Sequence, residues 1–187
     1  MKKLISIAIV LCIFIKINTA SFTLPFDYFQ KGKDFVEKQK RDKTVLCLMV
    51  AFGQVESGHN YNAKGASGER GKYQLLKGTW RRYSMKYFGR VVPNTPEYQE
   101  LLVYNVFSDY VEKGYEPYQI GVIWNAGEGK LKNNAWKTMI GVNKLGVPYD
   151  VPAYVNKFVK AYESVCSTTG IFLCSSNHTL YRTSDFS

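Results

Sequence analysis

The chain has 187 residues, 45% of them hydrophobic and 21% charged, and a formal net charge of +10. That length suits one domain with a substantial core and leaves little room for two, and the ordinary hydrophobic content excludes global disorder. Excess positive charge favours polyanionic partners such as nucleic acid, anionic lipid or an acidic cell wall, yet no Lys/Arg cluster resembles a recognition helix, so nucleic-acid binding is not expected.

The start, "MKKLISIAIVLCIFIKINTAS", joins a basic Lys2-Lys3 pair to an apolar run from Leu4 to Ile15. This is the pattern of a signal peptide over residues 1–20, too short for an ordinary membrane span. Asn18 and Lys16 fit the cleavage site after Ala20 poorly, so an uncleaved N-terminal anchor is the alternative. Export to the periplasm or cell envelope is expected, with membrane attachment only if the segment is retained. Cleavage would leave 22 basic and 15 acidic residues, a net charge of +7. It would also leave Cys47, Cys166 and Cys174. One disulfide plus a free thiol is then the simplest outcome, either Cys166 with Cys174 or Cys47 with one of them. Cysteine spacing matches no zinc pattern, and with His59 and His178 the only histidines, neither a metal nor another cofactor is expected.

Residues 21–43 read as an exposed lead-in holding one short helix. From 44 to 57 the spacing predicts a helix with Val45, Leu48, Met49 and Phe52 on one face, a stripe that Glu56 continues; Gly58 ends it. Residues 60–73, rich in Gly, Ser and Asn, predict a loop. Thr79 is the expected N-cap of the next helix. Thr95 and Pro96 open another, with Tyr98, Leu101, Leu102, Asn105, Val106 and Tyr110 as its apolar stripe and Gly114 as its end. "YQIGVIWNAGEG" predicts a short buried helix, and residues 130–150 a mixed connection with a helix around Trp136. The last helix, "VPAYVNKFVKAYESV", faces inward through Val155, Phe158, Val159 and Tyr162; residues 167–187 form a polar tail. The expected architecture is a single, mostly α domain over 44–166.

Glu56 is the residue with the most chemical content. A carboxyl group set among apolar side chains has its charged form disfavoured, so its pKa rises and it still holds a proton near neutral pH. Protonating a leaving-group oxygen requires such an acid. Two further segments combine unusual features. "GASGERGKYQLLKGTW" is glycine-rich but lacks a phosphate-loop pattern. "GVIWNAGEGKL" ends a buried helix with an aromatic ring and an amide.

Taken in order, these motifs resemble the lysozyme-like lytic transglycosylases of the soluble lytic transglycosylase (SLT) type. Glu56-Ser57 matches the Glu-Ser pair that closes a hydrophobic helix. "GERGKYQL", with Tyr73 and Gln74, matches the Gly-rich second motif, although Lys72-Tyr73 replaces the common Leu-Met. "IWNAGEG" matches Ala-Tyr-Asn-Ala-Gly, with Trp124 in place of the usual Tyr and Asn125 retained. Tyr154 matches the Tyr that starts the last helix. The resemblance covers about residues 44–165. It implies a goose-type lysozyme/SLT helical fold, with room for a very small β element in the loop after Glu56.

The resemblance implies cleavage of the β-1,4 bond between N-acetylmuramic acid and N-acetylglucosamine in peptidoglycan. Glu56 would act as acid, then as base, to close a 1,6-anhydro ring. Ser57, Tyr73, Gln74, Trp124, Asn125 and Tyr154 would contact or position substrate. Trp80 reads as core, and Trp136 as core or groove. Between Glu56 and Glu97 the only other acid is Glu69, so a two-carboxylate hydrolase has a single nearby candidate. The alternatives are a lysozyme-type muramidase and an inactive peptidoglycan-binding or assembly protein. The expected partners are peptidoglycan strands and a secretion, conjugation or appendage apparatus.

Overall fold

The computed structural model describes residues 26–168. The expected signal peptide or anchor, Cys12, Cys174, His178 and the tail beyond Thr168 lie outside the described residues. Helix α1 runs Phe26–Ser57 over 32 residues. The expected lead-in is thus helical from Phe26 onward. Its Lys, Glu and Gln residues are good helix formers, and after Pro25 only Gly32 weakens the run. The chain divides into two compact units, up to Lys38 and from Gln39 on. In the first, residues 30–38 of α1 are solvent-exposed throughout.

The second unit is mostly helical with a very small β element, consistent with a lysozyme-like helical domain. After α1 the chain turns through residues 58–76, where the bridges Lys64–Arg70 and Arg70–Leu75 are the only β-type pairings. Helix α2 (Lys77–Phe88) starts two residues before Thr79. Its N-cap is Leu76, in extended conformation and without a side-chain cap, and Gly89 closes it at φ 67°. Helix α3 (Pro96–Glu112) begins as expected, with Thr95 Oγ1 accepting from Tyr98 N. Helix α4 (Pro117–Ala126) opens with a reciprocal Glu116–Gln119 cap.

A short helix α5 (Glu128–Lys132) and a 3₁₀ turn (Ala135–Thr138) follow. Strands β1 (Ile140–Val142) and β2 (Pro148–Asp150) then pair antiparallel, with Ile140 opposite Asp150. The Asn143 side chain accepts from Leu145 N and Val147 N and so builds their turn. The mixed connection therefore supplies the sheet. Helix α6 (Val151–Thr168) ends the described chain and includes Ser167 and Thr168, whose hydroxyls bond Ser164 O.

Phe52 lies at the centre of the core. Its ring centroid is 4.0 Å from Phe158, 4.8 Å from Phe107 and 5.2 Å from Trp124, which joins α1, α6, α3 and α4. Val45, Leu48 and Met49 are buried as the stripe predicts. A second cluster gathers Val122, Trp136, Val151 and Val155. On α3 the buried face is Gln99, Leu102, Val103, Val106 and Phe107, while Leu101 is 53% exposed. The expected stripe is therefore rotated. This helix is apolar on most sides, so periodicity alone does not choose which strip faces inward. Trp80 is core, its indole N–H donating to Val92 O at 3.0 Å.

Candidate active site

Glu56 occupies the last turn of α1, one turn beyond Phe52 on the same face. Its environment is that of a half-buried carboxyl group. Tyr154, in the first turn of α6, donates its hydroxyl to Glu56 Oε1. The Trp124 indole, held against Phe52 and against Phe107 (5.1 Å), also hydrogen-bonds the carboxyl. Burial dominates and pushes the Glu56 pKa from an ordinary carboxylate value up to about 7. The Tyr154 and Trp124 hydrogen bonds and the Lys157 ammonium oppose that rise, and the Glu69 charge adds to it. Tyr154 is held well above the ordinary phenol range, by burial first and by the Glu56 charge next. It is therefore a proton donor in a hydrogen bond and not a base at physiological pH.

Three of the expected site residues thus converge: Glu56, Trp124 and Tyr154. Asn125 is solvent-exposed at the end of α4, and its side chain makes no hydrogen bond to Glu56 among the described residues. Ser57 faces the loop and not the carboxyl. Its hydroxyl donates to Lys72 O at 2.8 Å and accepts from Asn60 N at 3.0 Å, tying both ends of the turn region to α1. Gln74 is half-buried with φ 49°, and its amide donates to Gly71 O at 2.7 Å.

Tyr73 is placed in the core. It is 1% exposed, and its hydroxyl donates to Glu100 Oε2 at 2.8 Å. The expectation that it touches substrate is therefore corrected: its ring packs into the main core cluster with Lys72 Nζ 5.0 Å from the ring centroid, so it supports the loop from within.

The residues that shape this loop carry little signal in the sequence. Glu100 on α3 accepts from Lys72 Nζ (2.7 Å), Tyr61 Oη (2.7 Å) and Tyr73 Oη. Burial opposes its ionisation, but these three donors outweigh it and hold its pKa below the ordinary value. Gln99, 3% exposed, accepts from Lys72 N at 2.7 Å and donates to Tyr61 O at 3.1 Å. A Cβ on Gly71 (φ 83°) would lie 2.5 Å from the Gln99 amide, so glycine is required there. Glu69 and Gln74 converge over the Cα of Gly65, and Glu69 Oε2 accepts from Ser67 N at 2.9 Å. Ser67 Oγ accepts in turn from Asn143 Nδ2 at 3.0 Å, which links the loop to the β1–β2 turn. Lys157, one turn after Tyr154, was recoverable from helical spacing alone.

No family model matches the chain, and no curated protein matches it. Among solved structures the chain is similar to the X-ray structure of an inactive mutant of the lytic transglycosylase Slt from Pseudomonas aeruginosa, at 17% sequence identity and a TM-score of 0.49. The match covers 66% of this chain and 22% of that one, so this chain spans about a fifth of the solved structure it matches.

Proposed function

We propose that the protein is a peptidoglycan lytic transglycosylase in which Glu56 is the acid and then the base. The observation that carries this reading is the Glu56 carboxyl itself, set at the end of an apolar helix with its pKa raised to about 7 and one oxygen engaged by Tyr154. With Oε1 accepting from the phenol, the proton resides on the other oxygen, where it is available to a glycosidic oxygen. Proton transfer breaks the C1–O bond, and the substrate's own N-acetyl group stabilises the charge developing at C1. The ionised Glu56 then takes the proton of the C6 hydroxyl, and O6 closes on C1 to give the 1,6-anhydro sugar. Tyr154, Trp124 and Lys157 hold the carboxylate during its charged interval. Gln74 and Asn125 are the amides available to sugar hydroxyl and acetamide groups. An exported enzyme acting locally on the wall, in service of a secretion, conjugation or appendage apparatus, fits the expected signal sequence.

The second reading is a lysozyme-type hydrolase. Its support is Glu69, whose charge acts on Glu56 and which therefore offers a second carboxylate close to the acid. Products separate the two. Purified peptidoglycan digested by the protein and analysed by mass spectrometry is expected to yield anhydro-muropeptides, and Glu56→Gln is expected to lower the yield by at least about 100-fold. Reducing-end products that vanish in Glu69→Gln would favour the hydrolase instead. Binding to the wall without release of fragments would refute both.

A further inference from the structure

Beyond the acid, α1 and α6 lie antiparallel in a fixed register. Tyr154 meets Glu56, Lys157 Nζ reaches Val55 O at 3.4 Å, and the Phe158 ring stacks on Phe52 at 4.0 Å. Each step toward the C-terminus of α6 is matched by a similar step toward the N-terminus of α1. Two further turns in that register bring residue 166 beside residues 44–47. Cysteines stand at both places. The thiols of Cys166 and Cys47 hydrogen-bond each other, and both are reduced.

We propose that Cys47 and Cys166 form a disulfide that locks α1 to α6. The pairing stands on the thiol–thiol contact, and the helix register seen at residues 154–158, continued along both helices, agrees with it. Their exposure assigns the order of events. Cys47 is 4% exposed, whereas Cys166 is half-buried, so an incoming oxidant meets Cys166 first. The oxidant is of the disulfide class, either an oxidised dithiol oxidoreductase or oxidised glutathione. The Cys166 thiolate attacks its S–S bond, forming a mixed disulfide and releasing one thiolate. The Cys47 thiolate then attacks the Cys166 sulfur, expelling the second thiolate. The two cysteines lose two electrons and two protons, and the oxidant leaves as two thiols.

Burial pushes the Cys166 thiol up to about 12, with the Cys47 contact adding to the rise and Tyr162 and Lys43 opposing it. Little thiolate exists at neutral pH, so the uncatalysed step is slow and an oxidoreductase is the effective reagent. The resulting loop, from 47 to 166, encloses Glu56, Gln74, Trp124, Asn125 and Tyr154. A cross-link closing so long a loop removes much of the freedom of the unfolded chain.

The test is a disulfide map of the full chain after equilibration, without denaturant, in glutathione redox buffer containing a catalytic amount of a dithiol oxidoreductase. The protein is digested without reduction and read by mass spectrometry, and the melting temperatures of the oxidised and reduced forms are compared. A peptide joining Cys47 to Cys166 is expected, with the oxidised form melting roughly 5–10 °C higher, a difference that Cys47→Ala abolishes. Three outcomes would overturn the proposal: a Cys166–Cys174 bridge, oxidation of Cys47 only in denaturant, or a cross-linked form no more stable than the dithiol. Cell-wall cleavage is not the readout, so failure here leaves the catalytic reading standing, and the reverse also holds.

Discussion

The Glu56–Tyr154 pair sets two opposing demands on one carboxyl group. Desolvation keeps the proton on, while the phenol stabilises the group once the proton has gone. A general acid must be protonated in the free enzyme, so kcat/KM is expected to fall as pH rises through about 7. Replacing Tyr154 by Phe removes a hydrogen bond that favours the charged form, so the alkaline limb moves to higher pH, by roughly one unit. A purely packing role for Tyr154 predicts a lower rate with an unmoved limb. The pH–rate profile of Tyr154→Phe on soluble glycan strands distinguishes the two. Glu56 was legible in the sequence because its position on an apolar stripe needs only helical spacing to be seen. Its partner was legible only through the family resemblance, because 98 residues separate the pair and no local rule spans that distance.

Among the elements, the loop from 58 to 76 depends most on its neighbour. It has little regular structure, and its shape comes from Gln99 and Glu100 at the start of α3. Truncating Gln99 to Ala leaves Lys72 N buried without a partner and removes the donor to the half-buried Tyr61 O, a cost of about 2 kcal/mol. A fall in melting temperature of roughly 4–8 °C is expected, with a loss of kcat/KM because Lys72 and Gln74 lose their frame. An unchanged melting temperature in Gln99→Ala would show that Ser57 holds the loop unaided. This dependence also explains what the sequence hid. Gln99 and Glu100 sit in the polar first turn of α3, where such residues are ordinarily solvated, and only the folded loop converts them into anchors. The same limit misplaced Tyr73: a motif position shows that an aromatic is wanted, but not which side of the backbone it takes.

At the scale of the molecule, helix existence followed from periodicity and caps, as with Thr95 and the Glu116–Gln119 pair. Which strip of α3 faces inward, and where the small sheet lies, waited on tertiary packing. The molecule as a whole carries a cost for its acid. The Glu56 pKa is near 4.5 in an unfolded chain and about 7 in the fold. Below 4.5 both states are protonated and burial carries no ionisation penalty. As pH rises toward 7 the unfolded state releases its proton while the folded state keeps it, so stability is lost progressively. The loss is complete above 7, at roughly 3 kcal/mol. Glu56→Gln cannot ionise, so it is expected to match the wild type at pH 4 and to melt roughly 6–12 °C higher at pH 8. Equal melting temperatures at pH 8 would mean that the carboxyl is solvated.

The position of Tyr154 near the end of the described chain has a consequence for biosynthesis. A ribosome makes α1, with Glu56, long before it makes α6. Until residues 151–158 emerge, the carboxyl lacks both its phenol and the Phe158 ring that stacks on Phe52. On the function proposed above, nascent or truncated chains lacking that helix are expected to be inert toward glycan, which a truncation before Val151 assayed on peptidoglycan would check.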